Sequence, residues 1–193
     1  MNKWQGKIAV VTGASAGIGA ATVKDLAKHG INVIGLARRP ERIEKLAKEL
    51  GETPGKIYAH KCDVSDKESV REAFQWIEEK FKVVHILVNN AGIGKKTQIL
   101  TDNLDNSGEL EEVINTNFSG LIRVTQHAYQ LMKNAEDYGM IININSIAGH
   151  ITPFPKDAAS FANVYHGTKH AVTATTEVLV ISDIFASNTL SRI

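Results

Sequence analysis

The chain has 193 residues, 43% of them hydrophobic and 22% charged, with a formal net charge of +1. That is enough for one well-cored domain, 1–193, and too balanced in charge to point to a nucleic-acid or polyanion partner. A single cysteine, Cys62, excludes an internal disulfide and suits a reducing compartment. No stretch approaches the roughly 20 apolar residues of a membrane span, and the opening residues have no secretory pattern, so a cytoplasmic location is expected. The final Ser191-Arg192-Ile193 departs from a peroxisomal tripeptide at its isoleucine.

Along the chain, short apolar runs alternate with amphipathic segments. Ile8 to Val11 leads into Thr12-Gly13-Ala14-Ser15-Ala16-Gly17-Ile18-Gly19, then a helical pattern from Ile18 to His29 that Gly30 closes. Val33 to Ala37 precedes a helix from Glu41 to Leu50, stopped by Gly51. After Ile57 to Cys62, Ser65-Asp66-Lys67-Glu68 reads as a capping box for a helix towards Lys80. Val83 to Asn89, a long helix from Glu109 to Lys133, Met140 to Asn145 and a helix from Asn163 to about Leu179 complete the series. The runs are rich in Val and Ile and almost continuously apolar, as strands buried on both faces are. Their alternation with helices implies right-handed βαβ units. The fold class is therefore α/β, a Rossmann-type doubly wound parallel sheet.

The glycine-rich stretch sits between a strand and a helix, where a backbone that turns sharply can approach a pyrophosphate at the positive helix end. Its spacing, Gly13-x-x-x-Gly17-x-Gly19, differs from G-x-G-x-x-G, and glycines alone would equally serve a tight turn that packs helix on strand. The context favours nucleotide binding by the segment that includes Gly13, Ser15, Gly17, Ile18 and Gly19. The second strand ends in Ala37-Arg38-Arg39, with no acid before Glu41. Two guanidiniums suit a ribose 2′-phosphate and a carboxylate would suit a 2′-hydroxyl, so NADP is expected over NAD, with one of the two arginines simply facing solvent. Asp63 either contacts adenine or belongs to the turn before Ser65.

Tyr165 and Lys169 stand four residues apart, on one face of a helix, with Ser146 upstream. An ammonium one turn away favours a phenolate, which suits a proton exchanger in alcohol–carbonyl chemistry. Singly, each residue has a plainer reading: Tyr165 as packing, Ser146 as a strand-end hydroxyl, Asn117 as a helix-surface amide.

Taken together, Thr12 to Gly19, Asn89-Asn90-Ala91-Gly92, Asn117, Ser146 and Tyr165-x-x-x-Lys169 resemble the short-chain dehydrogenase/reductase family over about residues 7–179. Ile142 to Ser146 leading to Gly149-His150, with Lys169 to Ala174, is similar to the insect farnesol-dehydrogenase-like branch and its vertebrate relatives acting on ketosteroids. The resemblance implies a catalytic group of Asn117, Ser146, Tyr165 and Lys169. In it Tyr165 exchanges the proton, Ser146 hydrogen-bonds the substrate oxygen, Lys169 favours the phenolate and holds the nicotinamide ribose, and Asn117 positions a water that links Lys169 to solvent. It also implies that Asn90 and Gly92 lie against the cofactor ribose. Ser146 and Tyr165 are 19 residues apart, longer than usual in the family, so Ile151 to Asp157 is expected to form a pocket wall. Phe154 and Phe161 then suit an apolar alcohol or ketone such as an isoprenoid or steroid, and the long helices suit a homo-oligomer.

Three other patterns are weaker. Aligning Gly108 as the turn of a calcium loop puts Ile114 where a bidentate Glu belongs. His166 and His170 have metal-ligand spacing without a neighbouring Glu or a third ligand, and no metal is expected. Asn117-Phe118-Ser119 is a formal sequon, which a cytosolic chain would not present for glycosylation.

After Leu179 the resemblance lapses: residues 180–193 lack the family's Pro-Gly turn, since no proline follows Pro155. The expectation is a truncated product missing the last family strands, with an exposed sheet edge. At about 25 cal/mol per Å², a few hundred Å² of uncovered apolar surface costs several kcal/mol of a typical ~5–15 kcal/mol stability. The alternative to a working enzyme is a form that binds NADP(H) without turnover, or that pairs with a full-length relative.

Overall fold

Among the described residues, every strand is parallel to its neighbours. A computed structural model describes residues 2–95, 99, 107–135, 139–151 and 163–186. Its strands are β1 (Ile8–Thr12), β2 (Asn32–Ala37), β3 (Ile57–Lys61), β4 (Ile86–Asn89) and β5 (Met140–Asn143). They lie in the order β3-β2-β1-β4-β5. Val10 is in register with Ile34 on one side and Leu87 on the other, and Leu87 with Ile141. The chain winds outward from β1 to β3, then returns to β1's other flank with β4. That reversal opens a crevice beyond the carboxyl ends of β1 and β4.

The helices are α1 (Gly17–Lys28), α2 (Pro40–Leu50), α3 (Lys67–Phe81), α4 (Ser107–Ile114), α5 (Gly120–Met132) and α6 (Asn163–Ala186). A π-helical turn, Asn115–Ser119, joins α4 to α5, and a 3₁₀ turn spans Ile147–Gly149. Strand alternation sends Val10, Leu36, Leu87 and Ile141 to one face, against Val70, Phe74 and Ile77 of α3 and Val124 and Leu131 of α5. Ala9, Val11, Val33 and Val88 face the other way, against Val23 and Ala27 of α1 and Ile43 and Leu46 of α2. Burial on both faces is why the runs are apolar throughout.

Several boundaries differ from expectation, and four of the differences have a local reason. Helix α3 is capped by Asp66, whose Oδ1 accepts from Glu68 N at 2.9 Å, while Ser65 Oγ donates to Asp63 Oδ1 at 2.6 Å. The side-chain cap thus shifts by one residue, and the reciprocal half of the box does not form: Asp66 N donates to Asp63 O and Glu68 turns to Arg71. Strand β4 starts at Ile86 because the chain leaves α3 through Lys82 in a left-handed conformation, φ 67°. Strand β5 stops at Asn143: Ile144 N still donates to Asn89 O, but Ile144 O turns to Lys169 Nζ. Helix α6 runs past Leu179 to Ala186, since no proline or glycine follows Gly167 to stop it. Residues 152–162, with Phe154 and Phe161 of the expected pocket wall, and 187–193 of the tail lie outside the described residues.

Candidate active site

The crevice is built on a threonine. Thr12 ends β1 and is 2% exposed. Its Oγ1 accepts from Asn90 N and from Ala91 N, both at 3.0 Å. Asn90 Nδ2 donates back to Thr12 O at 2.9 Å and Gly13 O at 3.3 Å. The glycine loop and the loop after β4 are thereby stitched into one wall. Gly13 sits at φ +65°, and a Cβ there would come within 2.9 Å of Ala91 Cα. A Cβ on Gly19 would overlap Asn90 Nδ2, so Gly19 serves the seating of α1 against this wall. Of the residues expected at a cofactor, all but Gly19 line the crevice: Gly13, Ser15, Gly17, Ile18, Arg38, Arg39, Asp63, Asn90, Gly92, Tyr165 and Lys169.

At the nucleotide end, α1 begins after Ala16, which offers no side-chain acceptor, unlike Asp66 on α3. The first-turn amides of α1 are left for whatever enters from the crevice. Arg38 and Arg39 are both exposed, both line the crevice, and neither has an ion pair among the described residues. Asp63 lines the crevice and also makes the turn, its Oδ1 accepting from Ser65 N at 3.0 Å. Cys62 forms part of the floor. Burial pushes its thiol up to about 12, so it is no nucleophile near neutral pH.

Tyr165 and Lys169 reach the other end of the same crevice, which has a volume of about 450 Å³. Lys169 is 7% exposed, its Nζ lying 5.9 Å from the centroid of the Tyr165 ring and donating to Ile144 O at 2.9 Å. Burial disfavours the ammonium and holds Lys169 below the usual lysine value. Ser146 caps the 3₁₀ turn, its Oγ accepting from Ala148 N at 3.2 Å. Its own proton stays available to an incoming oxygen. Ser146 follows Ile144 and Asn145, which line the crevice, but is not itself part of the lining.

Asn117 is not a helix-surface amide: it is 1% exposed, inside the π-helical turn. Its Oδ1 accepts from Ile93 N at 2.7 Å, and its Nδ2 donates to Ile93 O at 2.9 Å and Thr168 Oγ1 at 3.2 Å. Thr168 Oγ1 in turn donates to Tyr165 O at 2.8 Å. Both amide protons are spent in joining the loop after β4 to α6, while Oδ1 keeps a second lone pair able to accept from a water. The π turn, where Gly120 N reaches back to Asn115 O, is what swings Asn117 inward. Sequence reasoning assigned no role to Thr12 or Thr168. The one signal for Thr12 was its place between a strand and the glycine loop.

The residues present fit a nicotinamide dinucleotide. Ile18 is 62% exposed at the crevice, an apolar surface that a ligand would cover. A Cβ on Gly92 would stand 3.4 Å from Asn117 Oδ1 and 3.9 Å from Lys169 Nζ, so its absence keeps this end open. The free helix amides and two arginines supply donors for phosphates at the far end.

Comparison with known proteins agrees with this arrangement. The sequence profile of the short chain dehydrogenases matches residues 7–181. Farnesol dehydrogenase of Aedes aegypti is 49% identical over 181 residues, covering 93% of this chain and 71% of that protein. Dehydrogenase/reductase SDR family member 11 of Gallus gallus is 40% identical over 185 residues, covering 93% of this chain and 69% of that protein. An alcohol dehydrogenase of the archaeon Thermococcus sibiricus, solved with 5-hydroxy-NADP, superposes with a TM-score of 0.79 at 30% identity, covering 92% of this chain and 72% of that one. By the profile match over residues 7–181 and the identity to these relatives, the chain belongs to the short-chain dehydrogenase/reductase family.

Proposed function

We propose that the protein is an NADP-dependent oxidoreductase that interconverts an apolar alcohol, farnesol-like or steroid-like, and its carbonyl. The observation that carries this is one crevice lined at one end by Arg38 and Arg39 and at the other by Tyr165 and Lys169. Hydride exchange belongs to the nicotinamide when bound. The chain's own residues bind, align and move the proton. Arg38 and Arg39 take the 2′-phosphate, the α1 amides the pyrophosphate, and Asn90 and Gly92 flank the ribose. Tyr165 exchanges a proton at the substrate oxygen, and Ser146 donates a hydrogen bond to the same oxygen as charge develops. Lys169, tethered to Ile144 O, sets its charge beside Tyr165. The farnesol dehydrogenase among the relatives supports an apolar substrate, and the 5-hydroxy-NADP complex supports the cofactor.

We read residues 1–193 as one domain, which the single sheet supports. Self-association through the long helices is part of the same reading. Ile114 on α4, Tyr129 on α5 and Val178 on α6 are 42%, 39% and 59% exposed.

The test is steady-state oxidation of farnesol and of a small polar alcohol by the purified protein with NADP⁺ or NAD⁺. The expected result is preference for farnesol and for NADP⁺ by about tenfold or more in kcat/KM, the factor that about 1.4 kcal/mol from a charge-assisted contact gives. Arg38→Ala with Arg39→Ala should abolish the cofactor preference. Equal use of NAD⁺ by the parent protein contradicts the cofactor assignment. NADPH binding with no oxidation of any alcohol leaves a cofactor-binding protein without turnover.

A further inference from the structure

Ser146 and Tyr165 lie on different elements, and a row of asparagines and threonines joins those elements. Asn143 Nδ2 donates to Thr176 Oγ1 at 2.9 Å, and Asn145 Nδ2 donates to Thr173 Oγ1 at 2.7 Å. Thr173 Oγ1 also reaches Gly149 O at 2.8 Å and Lys169 O at 3.2 Å. The residue just before Ser146 and the carbonyl three residues after it thus meet at one hydroxyl on α6. Asn143 at the end of β5 and Asn145 two residues beyond it are matched to two helix positions about one turn apart, 176 and 173. Behind them Asn89 Nδ2 donates to Asn143 Oδ1 and Thr125 Oγ1, both at 2.9 Å, which ties the row to β4 and α5.

The approach here is close. A Cβ on Gly149 would come within 2.6 Å of Lys169 O and 2.7 Å of Asn145 Nδ2, so glycine alone lets the 3₁₀ turn sit against α6 with the Asn145 amide between them. An apolar contact would let the helix slide along the strand, because dispersion has little directional preference. A donor–acceptor row has one good register.

We propose that Asn145 and Thr173 are positioning residues: their hydrogen bond sets the register of α6 on the end of β5 and so presents Ser146 to the Tyr165 hydroxyl. This rests on the catalytic assignment above for its consequence on turnover, but not for its consequence on structure. The test has a part for each. Hydrogen–deuterium exchange is measured on the cofactor-free protein for Thr173→Val and Thr173→Ser, with Asn145→Ala as a milder variant that keeps the Thr173–Gly149 contact. Thr173→Val should speed exchange of the amides at 148–151 by about tenfold or more, an opening cost of one lost buried hydrogen bond or more, with β1 and β2 unchanged. Thr173→Ser should restore the parent rate, and Asn145→Ala should fall between.

With NADPH and a carbonyl substrate, Thr173→Val should lower kcat about tenfold while the NADPH Kd stays within about twofold. Unchanged exchange at 148–151 in Thr173→Val overturns the proposal whether or not the parent protein turns over. So does a uniform rise across the chain with an equal loss of NADPH affinity, which marks ordinary destabilisation. A parent protein without turnover refutes the catalytic reading alone.

Discussion

Replacing Thr12 by valine changes almost no volume and removes one oxygen. That oxygen accepts from two backbone amides, Asn90 N and Ala91 N, each at 3.0 Å, and the side chain is almost wholly buried. Each amide left without an acceptor costs about 1–3 kcal/mol, and both are partly buried, so the low end applies and the pair costs roughly 2–3 kcal/mol. The added methyl returns about 0.8 kcal/mol, leaving a net loss of about 2 kcal/mol. Thr12→Ser keeps the acceptor and loses one methyl, at about 0.8 kcal/mol. Urea unfolding followed by far-UV circular dichroism separates the two. With an m-value of about 2 kcal/mol/M, valine should lower the midpoint by about 1 M and serine by less than half as much. Hydrophobicity alone predicts the reverse order. A Thr12→Val protein as stable as Thr12→Ser, or more so, refutes the claim that this hydroxyl holds the wall of the crevice.

Three further outcomes follow from the same contacts. Burial lowers the folded-state pKa of Lys169 below its usual 10.5, so between the two values the unfolded chain binds more protons and stability rises with pH. The stability of the parent protein relative to Lys169→Met should therefore climb as pH rises through that window, read from urea midpoints in a pH series; a flat or falling difference contradicts the buried ammonium. Gly19→Ala must displace Asn90 and Gly13, and should cost about 1–3 kcal/mol in a thermal melt and weaken NADPH binding in a fluorescence titration. Gly167→Ala, inside α6 with nothing within 4 Å of the new methyl, should instead stabilise by about 0.5–1 kcal/mol. Equal effects of the two glycine changes would show that the close approach at Gly19 is unimportant.

Much of the fold was legible because parallel strands buried on both faces leave an unmistakable run: Ile8 to Val11 and Val33 to Ala37 are apolar at nearly every position, and both became strands. Helix ends at Gly30 and Gly51 were readable for the same kind of reason, both glycines having positive φ. The end of α6 was not: the helical pattern reads to about Leu179, while the chain has no breaker there and the helix runs to Ala186. The π turn at Asn115–Ser119 was hidden because a shift from i−4 to i−5 bonding has no residue pattern of its own. That shift is what separates an exposed Asn117 from a buried one.

At the site, the glycine loop, the arginines and Tyr165–Lys169 could be read from type and spacing, and one crevice brings them together. The threonines could not. Thr12, Thr168 and Thr173 act through partners 24 to 79 residues away, a relation no local spacing encodes. Position 146 was legible as a serine, but not its role as the cap of a 3₁₀ turn whose placement depends on α6.

The central claim is that Tyr165 moves the proton in a reaction whose cofactor the rest of the crevice holds. Its most direct test is single-turnover reduction of farnesal with bound NADPH, comparing the parent protein with Tyr165→Phe. The account predicts loss of the reduced-cofactor absorbance in the parent protein and a rate at least about a hundredfold lower in the variant, as removal of a general acid requires, with NADPH affinity little changed. Equal rates in the two proteins would contradict it.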